Sequence, residues 1–260
     1  MLKEFKVDNL KVNVYGDRKD MGEEAAKMVA EKIKSLLLSK NEVNMIFAAA
    51  PSQNEFLTAL VNNEDVEWNK VNAFHMDEYV GLPEDAPQGF GNFLKEKIFA
   101  KVPFHSIHYL RGNASDADGE CERYSGLLKK FPTDIVCMGI GENTHLAFND
   151  PHVADFNDIP YVKVVDLDNA CRQQQVNDNC FAQLMDVPTH ALTLTIPALM
   201  VADNIYCVVP GANKSDAIFH TLNEEISSQY PSTILRKHHN SILFLDADSS
   251  SRIGNLIPNF

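Results

Sequence analysis

Short apolar runs alternate along this chain with longer stretches whose apolar positions recur every three or four residues. Val12–Tyr15 reads as a strand ending at Gly16. Over residues 20–39, Ala25, Val29, Ile33, Leu36 and Leu37 fall on one side at helical spacing. Asn44–Ala50 is an apolar strand, and Ser52 is placed to cap a helix through Phe56, Leu57, Leu60 and Val61. Further strands are predicted at 71–74, 107–110, 134–138, 190–196, 204–209 and 241–245, with helices over 90–99, 116–130 and 212–221. Near-continuous apolar strands alternating with helices predict a parallel sheet covered on both faces. In such a sheet the strand C-termini share one edge, where loops build a site. The pattern places one domain over about 10–250. The polar, weakly patterned stretch 151–182 reads either as a lid or as an ordinary surface insertion.

Composition narrows the possible partners. The chain has 260 residues, 45% hydrophobic and 23% charged, which suits a globular protein with a large core. A net charge of −13 repels phosphate backbones and anionic lipid, so neither nucleic acid nor membrane is expected as a main partner. It leaves room for a local cationic pocket that takes a small phosphate. The five cysteines are scattered and form no CxxC pair, which fits a reducing compartment and argues against a zinc ribbon. No signal peptide or spanning run is apparent, so a cytoplasmic location is the expectation.

Three strand ends carry polar clusters. His75-Met76-Asp77-Glu78-Tyr79 delivers two adjacent carboxylates to the sheet edge, and on an extended backbone they point to opposite sides. Either one of them faces a site or the pair is a solvated turn. Gly139-Ile140-Gly141-Glu142-Asn143-Thr144-His145 follows a buried strand, with Asp150 five residues beyond the histidine. The glycines let backbone approach a ligand, and an imidazole oriented by a carboxylate suits a general base near neutral pH. A capped loop histidine is the alternative. Lys214 opens a helix after the strand 204–209, where an anion would meet both the lysine and free N–H groups. Ser52, in the turn Ala49-Ala50-Pro51-Ser52, offers a hydroxyl to the same kind of ligand. Arg172 reads as an anion contact or as a solvated side chain. His238 and His239 suggest no third metal ligand and read as surface or loop residues.

These clusters together resemble the glucosamine-6-phosphate deaminase (isomerase) family, which shares a superfamily with 6-phosphogluconolactonase. MDEYVGLP at 76–83 and GIGENTHLAFNDP at 139–151 carry the likeness most specifically. VPTHALTLTIPALMVADNIYCVVPGANK at 187–214 and PSTILRKH at 231–238 support it. The resemblance implies a single Rossmann-like α/β domain over 1–260, doubly wound, with about seven mostly parallel strands, helices on both faces and a lid at 151–182. It implies neither a cofactor nor a metal. The implied reaction opens the ring of a hexosamine 6-phosphate, moves a proton between C2 and C1, and releases ammonia to leave a ketohexose phosphate. By motif position Asp77 is the enolisation base, His145 serves ring opening with Asp150 and Asn143, and Ser52, Lys214 and Arg172 hold the phosphate. Both monomers and homo-oligomers are compatible with it.

The chain departs from the family pattern at named positions. Pro51 removes one backbone donor from the phosphate loop. Asn177 stands where the lid usually has a second arginine, Thr144 where a glycine precedes the histidine, and Asp150 where a glutamate is usual. Thr144 is expected to narrow the pocket. A 6-phosphogluconolactonase-like hydrolase and a non-catalytic sugar-phosphate binding protein are the alternative readings.

Overall fold

The computed structural model describes residues 1–253, so 254–260 of the expected single domain lie outside the described residues. The chain opens with strands Lys3–Val7 (β1) and Leu10–Val14 (β2), helix Arg18–Leu37 (α1), strand Val43–Phe47 (β3) and helix Asn54–Val61 (α2). Strands Val71–His75 (β4) and Asp77–Tyr79 (β5), helix Phe90–Leu94 (α3), strand Ser106–His108 (β6), helix Ala117–Lys130 (α4) and strand Ile135–Met138 (β7) follow. Then come strand Val162–Asp166 (β8), helix Asn169–Asn177 (α5), strand His190–Leu194 (β9) and helix Ile196–Met200 (α6). Strand Asn204–Val209 (β10), helix Ser215–Asn223 (α7) and strand Ser241–Leu245 (β11) complete the order.

The main sheet has 8 strands in the order β1-β2-β11-β10-β7-β3-β4-β6, parallel except for β1 against β2. Alternation along β3 divides the interior into two cores. Met45 and Phe47 join Met21, Ala25, Val29 and Ile33 of α1 and Phe56, Leu57 and Leu60 of α2 on one face. Ile46 joins Tyr124 and Leu128 of α4 and Ala217 and Ile218 of α7 on the other. This is the doubly wound α/β arrangement. The helix α1 starts where the Asp17 carboxylate accepts the Asp20 N–H at 2.8 Å and ends near Lys34, a polarity that matches the helix dipole.

The 8 strands of the main sheet are in keeping with the expected seven or so; β1, with its charged outer face, is the strand that the apolar pattern does not mark. Two expectations are corrected. The apolar run at 190–194 does not enter the parallel sheet. It forms β9, the middle strand of a separate antiparallel sheet, β5-β9-β8. Apolarity specified that this strand is buried, not which strands it pairs with. Ser52 is not a helix cap, because Pro51 initiates a short 3-10 turn over Pro51–Gln53 and α2 begins only afterwards. Of the stretch 151–182, residues 162–166 are β8 and 169–177 are α5. No helix among the described residues is long and apolar enough to cross a membrane.

Candidate active site

The strands β10, β7, β3 and β4 are neighbours, and their C-terminal ends carry Lys214, His145, Ser52 and Asp77. The chain winds outward in both directions from the β7–β3 boundary, which is where open α/β sheets place ligands. One cleft there is lined by Ser52, Gln53, Asp77, Gly139, Gly141, His145, Gln174, Gln175 and Lys214. A larger cleft lies on the other side of β5 and is lined by Glu78, Leu82, Pro83, Lys95, Tyr109 and Arg111. The chemistry points to the smaller one, because only there do an unpaired carboxylate, an imidazole and a buried cation meet.

The alternation of β5 separates the two carboxylates. Glu78 turns away from Asp77 and accepts the N–H groups of Tyr79 at 2.9 Å, Phe90 at 3.0 Å and Gly91 at 2.9 Å. It pins the α3 start to β5 and is a structural group. Asp77 is buried, and its side chain makes no hydrogen bond among the described residues. Burial, with the Glu78 charge beside it, pushes its carboxyl well above the ordinary aspartate range. The backbone that carries it is fixed from behind by His75. Nδ1 of His75 donates to the Asp77 carbonyl at 2.9 Å, while Nε2 accepts the Leu110 N–H at 2.9 Å. The Tyr124 hydroxyl accepts the His75 N–H at 3.0 Å and donates to the His75 carbonyl at 3.0 Å. Burial lowers the His75 pKa to about 4, so the ring is a neutral strut.

His145 sits flat on Gly141. A Cβ at that glycine would lie 2.2 Å from the imidazole Cε1 and Nε2, so no side chain fits there while the ring keeps its place. The imidazole Nδ1 is 3.0 Å from Oδ1 of the fully buried Asp150. The approach is off the line of a good hydrogen bond, and Nδ1 has no other partner. Asn143 Nδ2 donates to the same Asp150 oxygen at 2.9 Å, and Asn143 Oδ1 accepts the His145 N–H at 3.2 Å. The Asp168 N–H reaches the other Asp150 oxygen at 3.3 Å. Burial works against the Asp150 charge, but His145 and these hydrogen bonds outweigh it and hold the carboxyl below its ordinary range. Asp150 is thus a fixed anion behind the imidazole, the shorter side chain notwithstanding.

Thr144 does not line the cleft, contrary to expectation. Its backbone is left-handed, φ 71°, which turns the buried side chain away from the cleft and leaves Oγ1 without a partner. Its carbonyl accepts the Ser232 N–H at 2.9 Å, so the 231–238 motif buttresses the histidine loop from behind. His238, expected at the surface or in a loop, lies in a loop but is buried, bonding the Ala202 carbonyl at 2.8 Å and accepting the Asn240 N–H.

Lys214 lines the same cleft; it is buried and its ammonium has no hydrogen bond or ion pair among the described residues. Burial lowers its pKa, against the pull of Asp178 and Glu142 nearby. The Ser52 hydroxyl faces the same space and accepts from Gln53 Nε2 at 3.1 Å. Arg172 is not brought to the cleft. Its guanidinium donates to the carbonyls of Leu184 at 2.7 Å and Val187 at 3.0 Å, inside the segment that carries it. Sequence reasoning also missed Gln53, Gln174 and Gln175. The first is anchored on the Val208 carbonyl at 3.0 Å. Gln174 accepts the Glu142 N–H at 2.9 Å, tying α5 to the histidine loop. Gln175 brings a carboxamide into the cleft from α5. Only their burial distinguishes these glutamines from a solvated polar run, and burial is not legible there.

Comparisons with known proteins identify the family and the fold. Residues 16–244 match the family model of glucosamine-6-phosphate isomerases/6-phosphogluconolactonase. A glucosamine-6-phosphate deaminase of Bacillus cereus is 32% identical over 91% of this chain and 88% of its own. One from Listeria innocua is 34% identical over 82% and 89%. Among solved structures, a monomeric glucosamine-6-phosphate deaminase superposes with a TM-score of 0.84 at 26% identity, over 92% of this chain and 98% of that one. A 6-phosphogluconolactonase from Thermotoga maritima shares the fold, with a TM-score of 0.74 at 18% identity over 90% and 98%.

Proposed function

The chain belongs to the glucosamine-6-phosphate isomerase/6-phosphogluconolactonase family, and on that footing we propose that it is an amino-sugar-phosphate deaminase/isomerase. Its substrate is a hexosamine 6-phosphate, and its products are a ketohexose 6-phosphate and ammonia. The observation that carries this reading is the unpaired, buried Asp77 facing the same cleft as His145 and Lys214.

Ring opening comes first. His145 relays the anomeric hydroxyl proton to the ring oxygen as the C1–O5 bond breaks, with Asp150 holding the imidazole and compensating its charge. Asp77 then takes the C2 hydrogen as a proton, and the electron pair of that bond forms the C1–C2 double bond of an enolamine while the π pair of the C1 carbonyl moves to O1, which takes a proton from water. Returning a proton to C1 leaves an imine at C2, to which one water adds and from which ammonia departs. A carboxylate with an elevated pKa is a stronger base than an ordinary one, which suits abstraction from carbon. Lys214 and Ser52 receive the phosphate and so orient C1 and C2 against Asp77, an entropic share of the rate. Gln175 is placed to meet a sugar hydroxyl from the lid side.

A lactonase would need a histidine to activate water but would have no use for Asp77. Supplying the protein with hexosamine 6-phosphates and measuring ammonia tests the reading, and no release with any epimer rejects it. Rapid hydrolysis of 6-phosphogluconolactone would favour the hydrolase, and binding without turnover would favour the sensor. In deuterated water, wild-type protein is expected to exchange the C2 hydrogen and Asp77→Asn to lose that exchange.

A further inference from the structure

Beside His145 and Asp150 lies a buried cysteine, Cys171, that the reaction above does not use. A ring nitrogen of His145, a carboxylate oxygen of Asp150 and Sγ of Cys171 all lie within 4.8 Å of one another. The three residues are 8%, 0% and 1% exposed. They come from separate parts of the chain. The loop after β7 supplies the first two, and the first turn of α5 supplies the third. The Asp168 carboxylate sets that turn by accepting the Cys171 N–H at 2.6 Å.

We propose that His145, Asp150 and Cys171 form a binding site for a thiophilic divalent cation of the Zn2+ or Cd2+ class, and that its occupancy switches the enzyme off. The donor set is one imidazole nitrogen, one carboxylate oxygen and one sulfur, the mixture that selects zinc over magnesium or calcium. Three protein ligands leave a fourth tetrahedral position for water. The buried Nδ1 has no aligned hydrogen-bond partner, so a cation there would satisfy an atom that the fold leaves unmatched. Asn143 Nδ2 and the Asp168 N–H already orient the Asp150 carboxylate from behind, as outer-shell partners of a metal ligand do.

Charge and protons balance. A cysteine buried as Cys171 is keeps its proton until a metal takes the sulfur. The incoming cation replaces that proton, releasing one H+ and forming the metal–thiolate bond. With a neutral imidazole, one carboxylate and one thiolate, a dication brings the site to zero net charge. A second grouping, Asp150, His152 and Asp168, is a weaker candidate. There His152 already bonds Asp166 at 2.9 Å, and both Asp168 oxygens are taken, Oδ1 by the Cys171 N–H as a helix cap and Oδ2 by Asn143 Nδ2.

The cation is not a cofactor in this proposal. It takes the imidazole and carboxylate that the proposed reaction needs free, and it locks α5 to the histidine loop through Cys171. The test titrates metal-free protein with Co2+ as a spectroscopic substitute. Wild type should show a thiolate-to-cobalt charge-transfer band saturating at one equivalent and bleached by Zn2+. Cys171→Ser and Cys171→Ala should lose the band, while Cys180→Ser, at the half-buried neighbouring cysteine, should keep it. In the ammonia-release assay, Cys171→Ser should keep its basal rate and need at least roughly tenfold more Zn2+ for half-inhibition, since one lost ligand weakens such sites by about that factor or more. Absence of the band in wild type, its persistence in both Cys171 variants, or unchanged zinc sensitivity would overturn the proposal. The cobalt readout does not depend on turnover, so failure of the deaminase reading is seen separately, as absent ammonia with the band intact.

Discussion

The two groups of residues around the cleft are built differently. In the group proposed to transfer protons every member has a support. His75 and Tyr124 fix the Asp77 backbone, Gly141 seats the His145 ring, and Asn143 and the Asp168 N–H hold Asp150. In the group proposed to hold the anion the support is sparse. Lys214 stands without a partner among the described residues, Pro51 contributes no N–H, and Arg172 turns to the Leu184 and Val187 carbonyls. Two acidic groups, Asp178 and Glu142, sit near the lysine instead. Proton transfer at carbon tolerates little misplacement, so its groups are preorganised before substrate arrives. Phosphate brings two charges of its own and needs only an unpaired cation to meet it.

The sharpest way to break this contrast is Asp77→Asn. It should lower kcat by about 10²–10⁴-fold with little change in KM, because it removes a base without touching the anion contacts. Steady-state ammonia release measures both constants, and a KM-dominated loss would show that Asp77 binds rather than reacts. The mirror experiment is Lys214→Met. There KM should rise on the order of 10-fold to 100-fold, with a smaller loss in kcat, as expected when a buried charge contact to a dianion is removed. An unchanged KM would move the phosphate elsewhere.

The pH profile tests the same division without mutation. Asp77 must be ionised to act, and its pKa lies above the ordinary range. The acid limb of kcat/KM should therefore have its midpoint above that of a solvent-exposed aspartate, with activity rising as pH rises through it. A profile already flat from pH 4 upward would contradict that environment. The smallest effect is expected at Asp178, a half-buried group that Lys214 pulls on and whose carboxyl is raised by burial. Asp178→Asn should lower KM roughly twofold to fivefold, since a partly solvated charge of like sign to the phosphate is worth about 0.4–1 kcal/mol. A higher KM would make Asp178 a substrate contact instead of a competitor.

Legibility in the sequence follows the same line. Strands such as β3, β7 and β10 are continuous apolar runs because both their faces are covered, and they are readable for that reason. β5 is not, since Asp77-Glu78-Tyr79 has neither apolar content nor length. β9 is readable as a strand but not as a member of the second sheet, because pairing partners leave no local trace. Motif position singles out Asp77, His145, Asp150, Asn143, Ser52 and Lys214, and the fold places them in the segments after four neighbouring strands. Arg172 was legible as a residue type but not as a direction: the carbonyls it binds belong to a turn that no periodicity announces. Gln174 and Gln175 look like solvated helix until α5 is placed over the cleft.

The left-handed Thr144 has an evolutionary reading. A branched residue in that conformation, with an orphaned hydroxyl, is uncomfortable by about 1–2 kcal/mol relative to glycine. The histidine loop keeps its shape anyway, because Ser232 clasps the Thr144 carbonyl and Gly141 beneath the ring allows no slack. The loop therefore owes its shape to Gly141 and to its surroundings, and not to the residue at 144. A lineage could drift at position 144 and still present the same imidazole, provided the residues around 232 did not drift with it.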